Sequence, residues 1–213
     1  MVFNLVTAYP KFYTSFLQTS LIKKAIDKKF IKFNLVDLKL FGKGRYKKID
    51  DTPYGGGTGM VIRVDVVDQA LNSITNKGTV ILMCPTGAQF TQNYANRLAR
   101  SSENITIISG RFEGFDKRVY SLVDKVISVG PYVTMGGEAP SLIIIESVSR
   151  LIPGVIGNIN STIEETFSNK YKKEYPLYTK PEVYNNSAVP SVLLSGNHKE
   201  IENWRIRNSK LNV

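Results

Sequence analysis

Short apolar runs recur along the chain, and between them the apolar positions spread out to helical intervals. VFNLVTAY at 2–9 reads as a buried strand. Pro10 then opens a helical stretch from Lys11 to about Lys28, with Phe12, Phe16, Leu21, Ile22 and Ile26 able to line one face. IKFNLVDL at 31–38 alternates as a second strand. Residues 62–75 follow as a helix, TVILMC at 79–84 as a strand, 89–101 as a helix and ITIISG at 105–110 as another strand. A short helix runs through Arg118, a strand spans Lys125 to Val129, and an apolar helix runs from Ala139 to Ile152. Buried strands alternating with helices predict an α/β fold with a mostly parallel sheet flanked by helices.

Three successive strands end in glycine-bearing turns, CPTG, SGRFEG and SVGPYVTMGG. In open α/β sheets ligands bind beyond the carboxyl ends of the strands, so these turns are expected to meet on one pocket. Their glycines let backbone groups approach a flat ligand closely. Another glycine cluster, Gly55 to Gly59, follows a loop that mixes Lys43, Arg45, Lys47 and Lys48 with Phe41 and Tyr46, a composition suited to phosphates and exposed bases. The pattern changes after Gly157. Residues 158–170 read as a flexible linker between a domain at 1–157 and a small, mainly helical C-terminal domain at 171–213. There Asn197 is expected to cap a helix, with Glu200 placed as in a capping box and Trp204 as the anchor.

Charge and rare residues narrow the chemistry. Against 18 Asp and Glu the chain carries 28 Lys and Arg, a net charge of +10 that favours a polyanionic partner such as nucleic acid. Cys84 and His198 are the sole residues of their kinds, so one chain builds neither a disulfide nor a His/Cys zinc cage. No apolar run approaches the roughly 20 residues of a membrane span, and a cytoplasmic protein without a membrane partner is expected. GGGTGM is neither a phosphate-binding P-loop nor a dinucleotide fingerprint, and no G-x-S-x-G elbow is present.

Four long motifs carry a family resemblance: DDTPYGGGTGM at 50–60, SGRFEGFDKRV at 109–119, SVGPYVTMGGEAPSLIIIESVSRLIPGV at 128–155 and YTKPEVYNNSAVPSVLLSGNHKEIENWR at 178–205. Together they resemble the bacterial tRNA (guanine-N1)-methyltransferases of the SPOUT class, in order and over nearly the whole chain. The resemblance implies a deep trefoil knot at the C-terminal end of the sheet, a homodimer with an active site shared between subunits, and S-adenosylmethionine as methyl donor. It implies cofactor contacts from Met83, Cys84 and Pro85, from Gly110 and Glu113, from Ser128, Val129, Gly130, Pro131, Tyr132, Val133 and Thr134, and from Gly136 and Gly137. Asp50, Tyr54, Gly55 and Asn197 are matched to tRNA contacts. No metal-ligating residue is implied, and room is left for a divalent cation such as Mg2+.

The family methylates N1 of guanosine at tRNA position 37, 3′ of the anticodon. That nitrogen carries a proton at neutral pH, so a base must remove it while charge builds on O6. By resemblance Arg150 stabilises O6, although a cation at a helix C-terminus also offsets the macrodipole. Glu165 stands where the family has an aspartate base, with Glu164 beside it. Pro131 replaces another family aspartate, and a helical tail common in the family is expected to be shortened, with less surface for tRNA. These departures leave one alternative, a weakly active or non-catalytic tRNA-binding dimer of the same fold. The apolar helix at 139–152 is the expected dimer contact.

Overall fold

The computed structural model of the chain describes residues 1–101, 103–157, 165–168 and 171–211. Two compact units divide it, Met1–Gly157 and Asn158–Val213. The first is built on five strands, β1 (Val2–Thr7), β2 (Lys32–Asp37), β3 (Thr79–Gln89), β4 (Ile105–Ile108) and β5 (Lys125–Ser128). They form one parallel sheet in the order β2-β1-β4-β3-β5.

Alternation along each strand sorts the core into two layers, because successive side chains leave opposite faces of a sheet. Phe3, Leu5, Ile81, Ile105, Ile107 and Ile127 face one side. There they pack on Ile22 and Ala25 of α1 (Ser20–Asp27). Ala95 and Leu98 of α3 (Gln92–Ser101) join the same layer, as do Ile144, Ile145 and Val148 of α4 (Glu138–Ser149). Val6, Val80, Leu82 and Ile108 face the other side, against Val66, Val67 and Ala70 of α2 (Val64–Asn72). Helices on both faces explain why the central strands read as continuous apolar runs.

Two elements depart from the expected pattern. The helix expected over 11–28 is broken into a 3-10 turn at Pro10–Tyr13, one α-turn at Thr14–Leu17, and α1. At the break Thr19 is extended, its Oγ1 donates to the Ser15 carbonyl at 2.6 Å, and Ser20 is left-handed at φ 46°. A local hydroxyl-to-backbone bond competes with helix continuation, and the apolar period gives no sign of it. Strand β3 runs on to Gln89 instead of stopping before Pro85. Its ladder to β5 is interrupted between Met83 and Ala88, then resumes with Ala88 opposite Ile127 and Gln89 opposite Ser128. Pro85 has no N–H to donate, which fits an interruption at that point.

The described residues of the second unit are mixed rather than mainly helical. Tyr171–Lys173 pairs with Lys210–Leu211, and Val183–Tyr184 pairs with Ser187–Ala188 across Asn185 and Asn186. Both asparagines are left-handed, as a two-residue hairpin turn demands. Helix α5 (His198–Asn208) is capped by Asn197, whose side chain accepts from the Glu200 N–H at 3.3 Å. The Asn197 N–H donates to Ser195 Oγ at 3.1 Å, so a serine takes the place expected for the Glu200 carboxylate.

Candidate functional site

The three segments do meet, although CPTG proves to lie inside β3 and its glycine, Gly87, does not reach the cavity. Beyond the C-terminal ends of β4 and β5, and beside the interruption of the β3–β5 ladder, lies a cavity of about 280 Å3. Its walls include the residues matched to the cofactor, from Met83–Pro85 through Gly110 and Glu113 to Ser128–Gly130, Tyr132–Thr134, Gly136 and Gly137. Pro131 is exposed and does not line it. Arg111, Phe115, Tyr120 and Pro140 line it as well, and the motif reading gave them no role.

Gly110, Gly130, Gly136 and Gly137 of this wall serve close approach, whereas Gly114 is left-handed at φ 99°. Gly137 is right-handed at φ −79°, and its N–H donates to the Gly110 carbonyl at 2.8 Å. A Cβ there would stand 2.8 Å from Ser109 Cα and 2.9 Å from the Gly110 nitrogen, so any side chain must push two turns apart. Gly55, Gly56, Gly57 and Gly59 are left-handed as well. A Cβ on Gly59 would meet Glu113 Cγ at 2.5 Å. The cluster thus leans on the cavity wall, where the Glu113 N–H donates to the Met60 carbonyl at 3.0 Å.

A buried polar chain holds the wall from behind. Glu138 is fully buried; its Oε1 accepts from Thr7 Oγ1 at 2.8 Å, and its Oε2 lies 2.9 Å from Arg111 Nε. That ion pair is close, yet the Arg111 N–H is not aimed along a hydrogen-bond axis. Arg111 also donates to the Met135 carbonyl at 3.3 Å and stacks over the Tyr9 ring at 4.7 Å. It thereby ties the turn after β4 to the loop after β5. Deeper still, buried Tyr13 bonds Ser109 Oγ at 3.0 Å and Ser141 Oγ at 2.8 Å. Burial outweighs these bonds and pushes its phenol up to about 12.

On the opposite wall Cys84 Sγ lies 3.2 Å from both Thr86 Oγ1 and Tyr120 Oη. Burial raises the thiol, but bonds from Thr86 and Tyr120 and the charge of Lys117 more than offset it, leaving the pKa below the ordinary cysteine value.

The residues matched to base and O6 chemistry are not part of this wall. Arg150 forms the C-cap of α4 and lines a different hollow of about 270 Å3, together with Phe16, Leu21, Ile22 and Glu146. Glu165 belongs to the second unit, half-buried at a bend where its carbonyl accepts from the Ser168 N–H at 3.0 Å. Glu164 lies outside the described residues. Asp50 pairs with Ile62 in a two-residue ribbon, Tyr54 is fully exposed, Gly55 is left-handed, and Asn197 caps α5. Among the described residues, no group of three or more His, Cys, Asp and Glu is placed to hold a metal ion. No described helix is long and apolar enough to cross a membrane.

Comparison with known proteins places this geometry. The family model for tRNA (Guanine-1)-methyltransferase TrmD matches residues 1–213. A tRNA (guanine-N(1)-)-methyltransferase of Mycoplasmopsis synoviae is 46% identical over 208 residues, 97% of this chain and 91% of that protein. Proteins of the same name from Lactobacillus delbrueckii subsp. bulgaricus and Thermus thermophilus are 45% and 44% identical, each over 96% of this chain and over 82% and 85% of their own lengths. With its strand-end cavity and a match along its whole length, the chain belongs to the tRNA (guanine-1)-methyltransferase family.

Proposed function

We propose that the chain transfers a methyl group from S-adenosylmethionine to N1 of guanosine 37 in tRNA. The observation that carries this reading is the convergence of Met83–Pro85, at the interruption of β3, and the turns after β4 and β5 on one cavity in a chain of this family. The cavity suits the cofactor: its volume is near the low end of small-molecule sites, about 300 Å3, and its glycine backbone admits a flat ring. When bound there, S-adenosylmethionine supplies an electrophilic methyl group.

The chain's own residues do the rest. Gly110 and Gly136–Gly137 keep the walls close enough for backbone amides and carbonyls to select the adenine and ribose. Arg150 lowers the cost of charge building on guanine O6, and Glu165 accepts the N1 proton. Residues 1–157 hold the cofactor, 171–213 hold tRNA together with Asp50, Tyr54 and Gly55, and 158–170 link them. In this reading the chain after β5 forms the trefoil knot, and two copies share each active site across α4. A divalent cation such as Mg2+ assists, and the work takes place in the cytoplasm where tRNA is found.

The test is incubation with unmodified tRNA carrying guanosine at 36 and 37 and tritiated S-adenosylmethionine, followed by mapping of the labelled nucleoside. Label on N1 of guanosine 37 is expected. Label on another base or on ribose contradicts the assignment. Binding of both partners without transfer identifies the non-catalytic dimer that a glutamate in the aspartate position favours.

A further inference from the structure

Residues 43–48 form a tight hairpin that the site described above does not use. Lys43 and Lys48 exchange both backbone bonds, Lys43 N–H to Lys48 O at 2.8 Å and Lys48 N–H to Lys43 O at 3.0 Å. Gly44 at φ 67° and Lys47 at φ 51° close the turn between them. The tip, Gly44 to Lys48, is exposed throughout, and Tyr46 is 80% exposed.

Its charges are arranged unequally. At the base Arg63 bonds Asp51 at 2.9 Å and grips Asp65 through Nε and Nη2 at 3.0 and 3.1 Å, while Lys43 reaches Asp65 at 3.7 Å. The carboxylates of Asp51 and Asp65 are therefore already neutralised. Among the described residues no ion pair neutralises Arg45, Lys47 or Lys48. An exposed aromatic ring carried on a hydrogen-bonded hairpin among unneutralised cations matches single-stranded nucleic acid, whose phosphates meet the cations while a base stacks on the ring. A membrane surface or an acidic protein asks for the charge but not for the isolated tyrosine.

The hairpin is also wired to the cavity. From Lys48 the chain enters the ribbon of Asp50–Asp51 with Val61–Ile62. The ribbon is fastened to the turn after β4 by the Ile62 N–H to Gly114 O at 2.9 Å and the Asp116 N–H to Ile62 O at 2.9 Å. We infer that the 43–48 hairpin is an RNA-docking finger, with Arg45, Lys47 and Lys48 on backbone phosphates and Tyr46 stacked on an unpaired base, which sets a single-stranded RNA loop at the rim of the cavity. This rests on the reading of tRNA as substrate.

The test compares the intact protein with two variants in equilibrium binding of unmodified tRNA across salt concentrations. Arg45→Gln, Lys47→Asn and Lys48→Gln are combined in one; asparagine tolerates the left-handed geometry at 47. This variant is expected to bind tRNA at least about tenfold more weakly at physiological salt, with the slope of log K against log salt shallower by about 2. Tyr46→Ala is expected to lose about tenfold with the slope unchanged. Both keep the parent affinity for S-adenosylmethionine and the parent thermal midpoint. Unchanged tRNA affinity and slope in the triple variant overturn the inference, and so does an equal loss of cofactor binding and stability. If the intact protein binds tRNA through these residues without methylating it, the finger stands and the functional reading falls. If the intact protein methylates tRNA and the triple variant binds it like the parent, the finger falls alone.

Discussion

The two units answer the same physical problem differently. In Met1–Gly157 the sheet buries apolar side chains on both faces, and its cavity is shaped by backbone pressed against backbone, as at Gly137 and Ser109. Over residues 165–168 and 173–210 of the second unit only Ser168 is buried, and α5 has no buried side chain at all. A wall made of packed backbone holds one geometry and suits recognition of a small molecule. A unit with little buried apolar surface opens locally at lower cost, which suits a surface that must settle onto a large partner.

In the proposed function one unit binds the donor and the other removes the proton, and this division can be broken by mutation. Glu165→Gln keeps size and removes the proposed base. It is expected to slow single-turnover methyl transfer by roughly a hundred- to ten-thousandfold while leaving S-adenosylmethionine affinity in calorimetry unchanged. Loss of cofactor affinity in this variant would merge the two roles. Glu165→Asp shortens the reach by one methylene, and a faster rate would show the natural glutamate to be an imperfect base.

Stability provides the next comparison. Ile107, fully buried between two helical layers, should cost about 2–5 kcal/mol when changed to alanine, read from denaturant unfolding. Trp204 meets Tyr178 edge-on with ring centroids 6.2 Å apart and is only half-buried. Trp204→Ala should cost the second unit about 1 kcal/mol, with no change in exchange protection of β1 and β4 amides. A loss across both units would mean that they unfold as one.

Titration sharpens the account of the first unit. The folded phenol of Tyr13 lies near 12 against an ordinary 10, so the protonated form is favoured by folding. Its contribution is complete below pH 10 and is lost as pH rises toward 12. Tyr13→Phe should flatten the fall in stability over that window, measured by denaturant midpoint against pH. The smallest effect concerns Cys84, whose depressed thiol should alkylate faster at neutral pH than an ordinary cysteine. Saturating S-adenosylmethionine should protect it, because the thiol lines the proposed cofactor cavity. Alkylation at the same rate with and without cofactor would remove this wall from the site.

Much of this arrangement can be read from local pattern. Strands β1, β4 and β5 announce themselves as apolar runs, and glycines at strand ends point to the cavity because parallel sheets present their ligands there. What escapes is whatever depends on pairing across the chain. Glu138 looks like an ordinary first-turn carboxylate, yet it is buried against Arg111 and against Thr7, 131 positions away. Nothing near it in sequence signals that bond. The extension of β3 to Gln89 is hidden by Pro85 and Gly87, and the break at Thr19–Ser20 by an apolar period that runs straight through it.

The central claim is that Met83–Pro85 and the turns after β4 and β5 form the S-adenosylmethionine site, and a crystal structure of the protein with S-adenosylmethionine tests it most directly. The account predicts adenine and ribose density between Met83–Pro85, Gly110 and Ser128–Gly137, bonded to backbone amides and carbonyls of those turns. Density for the cofactor anywhere else, with these turns unchanged and empty, would contradict it.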